Sequence, residues 1–498
     1  MKFLKISIIS AALLFGTSSC KDFLDVKPGN SVDADTPISS TNDAKNLINA
    51  LNRQMLVSNY YGRNFLLYGD VKAGLMTVYS QGRGLDALYS FNQTPTTNSF
   101  SGFWSTIYSC INQTNLILEK IKIAKEVNPN LNFDNAEGQA LTTRALLYFD
   151  LVRLYGNTYT QNKANLGVPL VLETVDYSYK PKRNTVEEVY TQVLKDLKDA
   201  QVLLSNSKAK DPGYLNYYGN LALQSRVYLT MADFNNAYST AKEVISSNAY
   251  SLYENDKWYA SWSSMFGSES IFELAIYEGE ADLGTASLGY YVMRRLGGQG
   301  GMFYASTDFI DELGADAADV RHSIFGRDEK SATRMGAVYK YLGSTNTTTS
   351  LPLNSIGDKG SNNNSAVNIK VIRLSELYLT AAEAALKKTS PDATEAATLL
   401  NAISKRSPNL DTYTSTTVNE DAILLEKKKE FYSEGLLYWD MLRLNKTITF
   451  DDAFGGLNII TRPGSIDRSF PKTILPIPLT EINANPNLKD QQNPGYNN

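Results

Sequence analysis

Two stretches of the chain fold back on themselves in the same way, and this pattern restricts the architecture more than any other feature of the sequence. Residues 220–245, NLALQSRVYLTMADFNNAYSTAKEVI, read as two short helices joined near Ala232 to Phe234. The small residues Ala222, Ala237 and Ala241 let those helices approach closely. Residues 372–406 repeat the arrangement, with IRLSELYLTAAEAALKK followed by DATEAATLLNAISKR. Two earlier segments carry helical stripes of their own. In residues 135–156, Leu141, Ala145, Phe149 and Val152 share one face. Thr185 and Glu188 have the spacing of a capping box, and Val189, Val193, Leu197, Ala200 and Leu204 continue an apolar stripe behind them. A last long helix is expected over roughly 419–445, starting at the cap residue Asn419.

One helix pair cannot bury its apolar face alone, so several such pairs are expected to stack into a superhelical scaffold. The hairpins resemble tetratricopeptide-type pairs without an exact 34-residue period; the alternative is a set of unrelated antiparallel helices. The rest of the chain differs in character. Residues 250–368 are rich in Gly, Ser, Thr, Asn and aromatics, as in YENDKWYASWSSMF and LGGQGGMFYAST, and residues 56–100 are similar. Segments of this kind fit loops carried on a rigid frame, where binding groups concentrate. The expectation is a mostly α fold with few short strands: one unit over 20–498, a helical frame at about 101–249 and 369–445, an aromatic-rich loop lobe at about 56–100 and 250–368, and a tail over 446–498.

Residues 1–19 read as a secretory signal. Lys2 and Lys5 precede an apolar run, ISIISAALLFG, that is too short to span a bilayer. Small residues lead to Cys20 in GTSSC, which points to cleavage before Cys20 and acylation of its thiol; the alternative is an ordinary signal cut nearby. Stable anchoring takes two or more acyl chains. The remaining cysteine, Cys110, lies in an apolar helical pattern and reads as a small buried residue. No later segment is long and apolar enough to cross a membrane. The formal charge is −4, becoming −6 once Lys2 and Lys5 leave with the signal. No long basic run exists, which argues against nucleic acid as a partner.

The chain has 31 Tyr, 19 Phe and 4 Trp against one His. One histidine leaves little basis for a histidine-built metal centre, and His322 in the polar stretch DVRHSIFG reads as a surface residue. Neither a metal nor a cofactor is expected. Tyrosine offers a flat apolar face and a polar tip, which suits sugar binding as well as core packing. From the first lobe segment the candidates for ligand contact are Tyr79, Arg83 and Tyr89; from the second, Trp258, Trp262, Tyr291, Arg294 and Tyr304. Each has a structural alternative: Trp258 and Trp262, four apart, also fit one core face, and Tyr291 with Arg294 fits a helix surface. The acidic stretch 308–319 lacks calcium-loop spacing and reads as an acidic surface. A glycosidase would need two carboxylates across a cleft, for which Glu273 and Glu278 are the nearest candidates in the lobe.

Several motifs together resemble the SusD/RagB family of outer-membrane nutrient-binding lipoproteins, over nearly the whole chain. They are CKDFLDVKP after the signal, FWSTIYSCINQTNLIL with Trp104 and Asn115, ALTTRALLYFDLVRLYG ending in Arg153, Tyr155 and Gly156, TVEEVYTQVLKDLKDA, IRLSELYLTAAEAAL, and the tail LPIPLTEINANPNLKDQQNPGY. The late helix departs from the family pattern: Lys427 and Lys428 stand for an arginine pair and Leu437 for a later arginine, while Glu434, Gly435, Asp440 and Arg443 are retained. The tail is two residues longer than usual before NPGY. The resemblance implies non-enzymatic binding of a glycan, or in some members a peptide, at the cell surface. It also implies delivery to a SusC-like TonB-dependent transporter in the outer membrane. Family ligand residues vary too much for a carry-over by motif.

Overall fold

The structure is a computed structural model, and it describes residues 38–78, 85–96, 100–176, 178–280, 283–293, 301–327, 335–343, 366–452 and 459–496. The signal, Cys20, Tyr79, Arg83 and Arg294 lie outside these residues.

The chain enters through α1 (Thr41–Gln54), where Ser40 and Asp43 form a capping box and Ala44, Leu47, Ile48 and Leu51 make one buried stripe. Its opposite face, with Asn49 and Arg53, remains exposed. Next, α2 (Asn64–Lys72) is buried along its whole length. Residues 60–78, expected among the loops, are therefore part of the core. The frame follows with α3 (Ser101–Val127), α4 (Asp134–Tyr155), α5 (Val186–Leu203), α6 (Tyr217–Thr230) and α7 (Phe234–Ser246). It resumes with α8 (Leu374–Lys387), α9 (Ala393–Ser404), α10 (Glu420–Glu430) and α11 (Leu437–Arg443).

Each helix of the frame packs on the next: α4 lies against α3 and α5, α6 against α7, and α8 against α9. The third pair docks directly on the second, through α8 on α7, although more than a hundred residues separate them in sequence. This is the stacked, tetratricopeptide-like array expected from the stripes. The Thr185–Glu188 capping box forms, and Asn419 caps α10 through the Ala422 N–H. The turn after α6 runs through Ala232 at φ 61°, and Asp233 caps α7. Buried arginines tie successive helices together: Arg144 of α4 meets Asp196 of α5 at 2.8 Å, and Arg226 of α6 meets Glu376 of α8 at 2.5 Å.

The expected single helix over 419–445 is broken. Ser433 (φ 68°) and Gly435 (φ 73°) take left-handed conformations between α10 and α11. A Cβ at Gly435 would lie 2.6 Å from the Leu66 Cα, so this turn must be bare for α2 to pack beside it. In the same region Lys427 bonds Glu383 at 3.0 Å, together with Arg443, whereas Lys428 reaches only a half-exposed Glu312 at 3.1 Å. The two lysines thus keep structural ion pairing.

The strands among the described residues form four antiparallel two-stranded ribbons. They are β1 (Met76–Val78) with β3 (Phe303–Ala305), β2 (Ser270–Leu274) with β6 (Ile369–Arg373), β4 (Phe325–Arg327) with β5 (Met335–Val338), and β7 (Ile448–Thr449) with β8 (Ser465–Ile466). Isolated ribbons are marginal; these are held because one apolar cluster, from Ile38 to Leu488, runs through helices and ribbons alike. The tail is bound into the frame as well. Asn493 donates to the carbonyls of Tyr155 (2.8 Å) and Leu475 (2.6 Å), and Arg183 donates to the Gln491 carbonyl at 2.6 Å.

Beneath the ribbons lies a buried ionic cluster. Arg373 contacts Glu269, Glu430 and Glu434 at 2.8, 3.1 and 2.8 Å. Arg321 bonds Asp319 at 2.7 Å and Glu426 at 2.8 Å, and Arg406 bonds Glu269 at 2.8 Å. Burial works against every charge here, yet Arg406, Arg373 and Arg321 together hold the Glu430 carboxyl down to about 2. The cluster joins α10 to the ribbons, which fixes the lobe on the frame.

Candidate functional site

The outward face of α1, the loop before α6 and the end of β2 enclose a groove of about 690 Å³, within the usual size of small-molecule sites, roughly 300–1,000 Å³. Its apolar walls are Tyr214, Phe266 and Tyr277. Tyr277 is 47% exposed, held at a tight turn in which the Glu280 N–H donates to the Tyr277 carbonyl at 2.9 Å and Gly279 supplies φ 74°. Tyr214 follows Pro212-Gly213 and is fixed at both ends: its hydroxyl donates to Asn49 Oδ1 at 2.7 Å, and the Lys45 ammonium lies 4.6 Å from its ring centroid.

The polar lining comes from both sides. Asn49, Asn52 and Arg53 project from α1, while Lys210, Asp211 and Glu280 face them. Arg53 pairs with Glu280 at 3.2 Å across the rim, with both side chains more than half exposed. Lys210 donates to the Gly267 carbonyl at 2.8 Å. Partial burial pushes the Lys210 ammonium down and the Asp211 carboxyl up, with Lys45 opposing the latter. Flat aromatic faces beside amide and charged groups can stack on the apolar side of a sugar ring and bond its hydroxyl edge.

None of the five candidates among the described residues lines this groove. Tyr79, Arg83 and Arg294 lie outside the described residues. Trp258, Trp262, Tyr89 and Tyr304 are at most 3% exposed, so the core alternative holds for them and the surface platform does not. Trp258 and Trp262 pack edge to face at 5.6 Å. Trp262 sits among cations of the buried cluster, with Lys340 at 3.7 Å and Arg373 at 5.0 Å from its ring. Tyr89 packs under Arg462, and Tyr304 is a β3 residue opposite Thr77. Tyr291 is half-buried, with the Arg63 guanidinium 4.3 Å from its ring centroid. The sequence did signal the groove weakly, because Tyr214 and Tyr277 both sit at turn sequences, DPGY and YEGE.

The carboxylate pair considered for hydrolysis does not form. Glu273 is 1% exposed and accepts from the Phe266 N–H (2.8 Å), the Asn368 amide (2.8 Å) and the Ser270 hydroxyl. Glu278 lies on the exposed turn beyond β2. In the acidic stretch, Asp308 and Asp311 are exposed as expected, whereas Asp316 and Asp319 are buried and bonded within the chain. His322 is half-buried, its Nε2 3.1 Å from the Asp316 carbonyl. Cys110 is buried, as expected. Among the described residues no helix is long and apolar enough to cross a membrane.

Residues 22–229 match a family model described as "Starch-binding associating with outer membrane", and residues 325–496 match the SusD family model. The structure is similar to that of a SusD superfamily protein from Bacteroides thetaiotaomicron, 31% identical, with a TM-score of 0.80 over 91% of this chain and 100% of the other. One from Bacteroides vulgatus is 30% identical, with a TM-score of 0.80 over 93% of this chain and 100% of the other. A SusD-like protein of Formosa agariphila is 26% identical over an alignment of 514 positions that covers 93% of this chain and 95% of that protein.

Proposed function

The chain belongs to the SusD/RagB family, and from that premise we propose that it captures oligo- or polysaccharides at the cell surface, without cleaving them, and passes them to a SusC-like TonB-dependent transporter. The observation that carries the binding step is the groove, where exposed Tyr277 and anchored Tyr214 face Asn49, Asn52 and Arg53. Aromatic stacking supplies affinity, and amides left unpaired by a wrong sugar supply discrimination. The absence of a bond-breaking step is supported by the locked, buried state of Glu273. Delivery to the transporter rests on the family. Anchoring rests on Cys20: acyl chains there hold the body at the outer membrane, facing outward.

The test is a binding screen of the purified mature protein against soluble polysaccharides and, separately, peptide pools. Saturable binding to a polysaccharide, with no release of reducing ends, is the expected result. Binding to peptides alone would replace glycan by peptide as the cargo, and sustained release of sugars would overturn the non-catalytic reading.

A further inference from the structure

Behind Tyr214 the groove does not end. A second hollow of about 250 Å³ begins at the same two residues, Asp211 and Tyr214, and continues between Lys45, Ser207 and Asn216 to Gln139. Tyr214 is thus the wall shared by both hollows, braced from one side by Asn49 and from the other by Lys45. At the far end Gln139 is only 5% exposed. Its amide donates to Asn135 Oδ1 at 2.7 Å, while its Oε1 accepts no hydrogen bond from the described residues. A buried acceptor without a donor is uncommon in a native fold, and the side chain that carries it forms the floor of this hollow.

We propose that the two hollows are consecutive subsites for one ligand, an oligosaccharide chain laid across Tyr214 with its far end between Lys45 and Asn216. This rests on the glycan-binding reading and adds to it a ligand length. Mono- and disaccharides fill one hollow and gain nothing from the other. A longer chain stacks one unit on Tyr277, crosses the Tyr214 ring and places a further unit between Lys45 and Asn216.

The test is an affinity series on the full mature protein, using size-graded oligosaccharides of several neutral glycan types, from disaccharide to octasaccharide. For the wild type, affinity should rise with chain length and then level off. Tyr214→Ala should remove that gain, about 5- to 30-fold for the longest oligomers as for an aromatic anchor, and leave affinity flat with chain length. Asp211→Asn changes an exposed side chain at the same junction and should reduce the same gain; Tyr214→Phe keeps the ring and should preserve it. Affinity independent of length, or a length dependence unchanged in both Tyr214→Ala and Asp211→Asn, overturns the paired subsites and leaves glycan binding intact. Failure of every glycan to bind the wild type overturns glycan binding itself, and the subsites with it.

Discussion

The ammonium of Lys340 lies 3.7 Å from the centre of the Trp262 ring and also bonds Glu434 at 2.7 Å. Trp262 is therefore the apolar lid on a buried charge, a role for which its 3% exposure is required. Trp262→Ala should cost roughly 3–5 kcal/mol of stability through the cavity it leaves. A denaturant melt checks this; an unchanged midpoint together with weakened glycan binding would return Trp262 to the ligand surface.

Acid should loosen the joint between lobe and frame. Burial alone would raise the Glu430 carboxyl, but the surrounding arginines hold it at about 2, below its ordinary 4.5. A depressed folded value contributes stability above pH 4.5, and that contribution is lost as pH falls toward 2. Glu430→Gln should destabilise the protein at neutral pH by about 3–5 kcal/mol, the usual result of leaving buried partners uncompensated. It should also flatten the acid limb of a melting-temperature profile. A parallel acid limb in the variant would place the acid sensitivity elsewhere.

Asp70 behaves in the opposite sense. Full burial in α2 pushes its carboxyl up to about 8, although the Gly435 N–H donates to it at 3.1 Å. A raised folded value means that its contribution to stability is complete below about 3.8 and is lost as pH rises through 8. Asp70→Asn stays neutral throughout, so its stability should fall less than that of the wild type between pH 4 and pH 8. Thermal melts across that range decide it, and identical slopes would contradict a protonated Asp70.

The frame was legible in the sequence because its signals are local: a stripe at helical spacing, the Thr185–Glu188 box, and Asn419 ahead of α10. The late helix was misread because its break depends on a distant neighbour, Leu66, against which Gly435 must lie bare. The site was harder still. Tryptophan and tyrosine content marks aromatic surface and aromatic core equally; Trp262 went to the core beside Lys340 and Arg373 and Tyr89 beside Arg462, cations from remote segments, while Trp258 packs on Trp262 and Tyr304 lies in a ribbon. Tyr214 and Tyr277 became a pair only through the fold, which brings a loop of the frame to the end of β2. The retained Glu434 had a visible family counterpart, but its partners Arg373 and Lys340 are more than 60 residues away.

The most direct test of glycan capture in the groove is titration calorimetry of the wild type and Tyr277→Ala with a polysaccharide that the wild type binds. Tyr277 is exposed and bears little of the core, so its thermal melt should stay unchanged while affinity falls by about 5- to 30-fold, as for loss of an aromatic anchor. Equal affinity in the two proteins, with both fully folded, would contradict the groove as the place where the sugar binds.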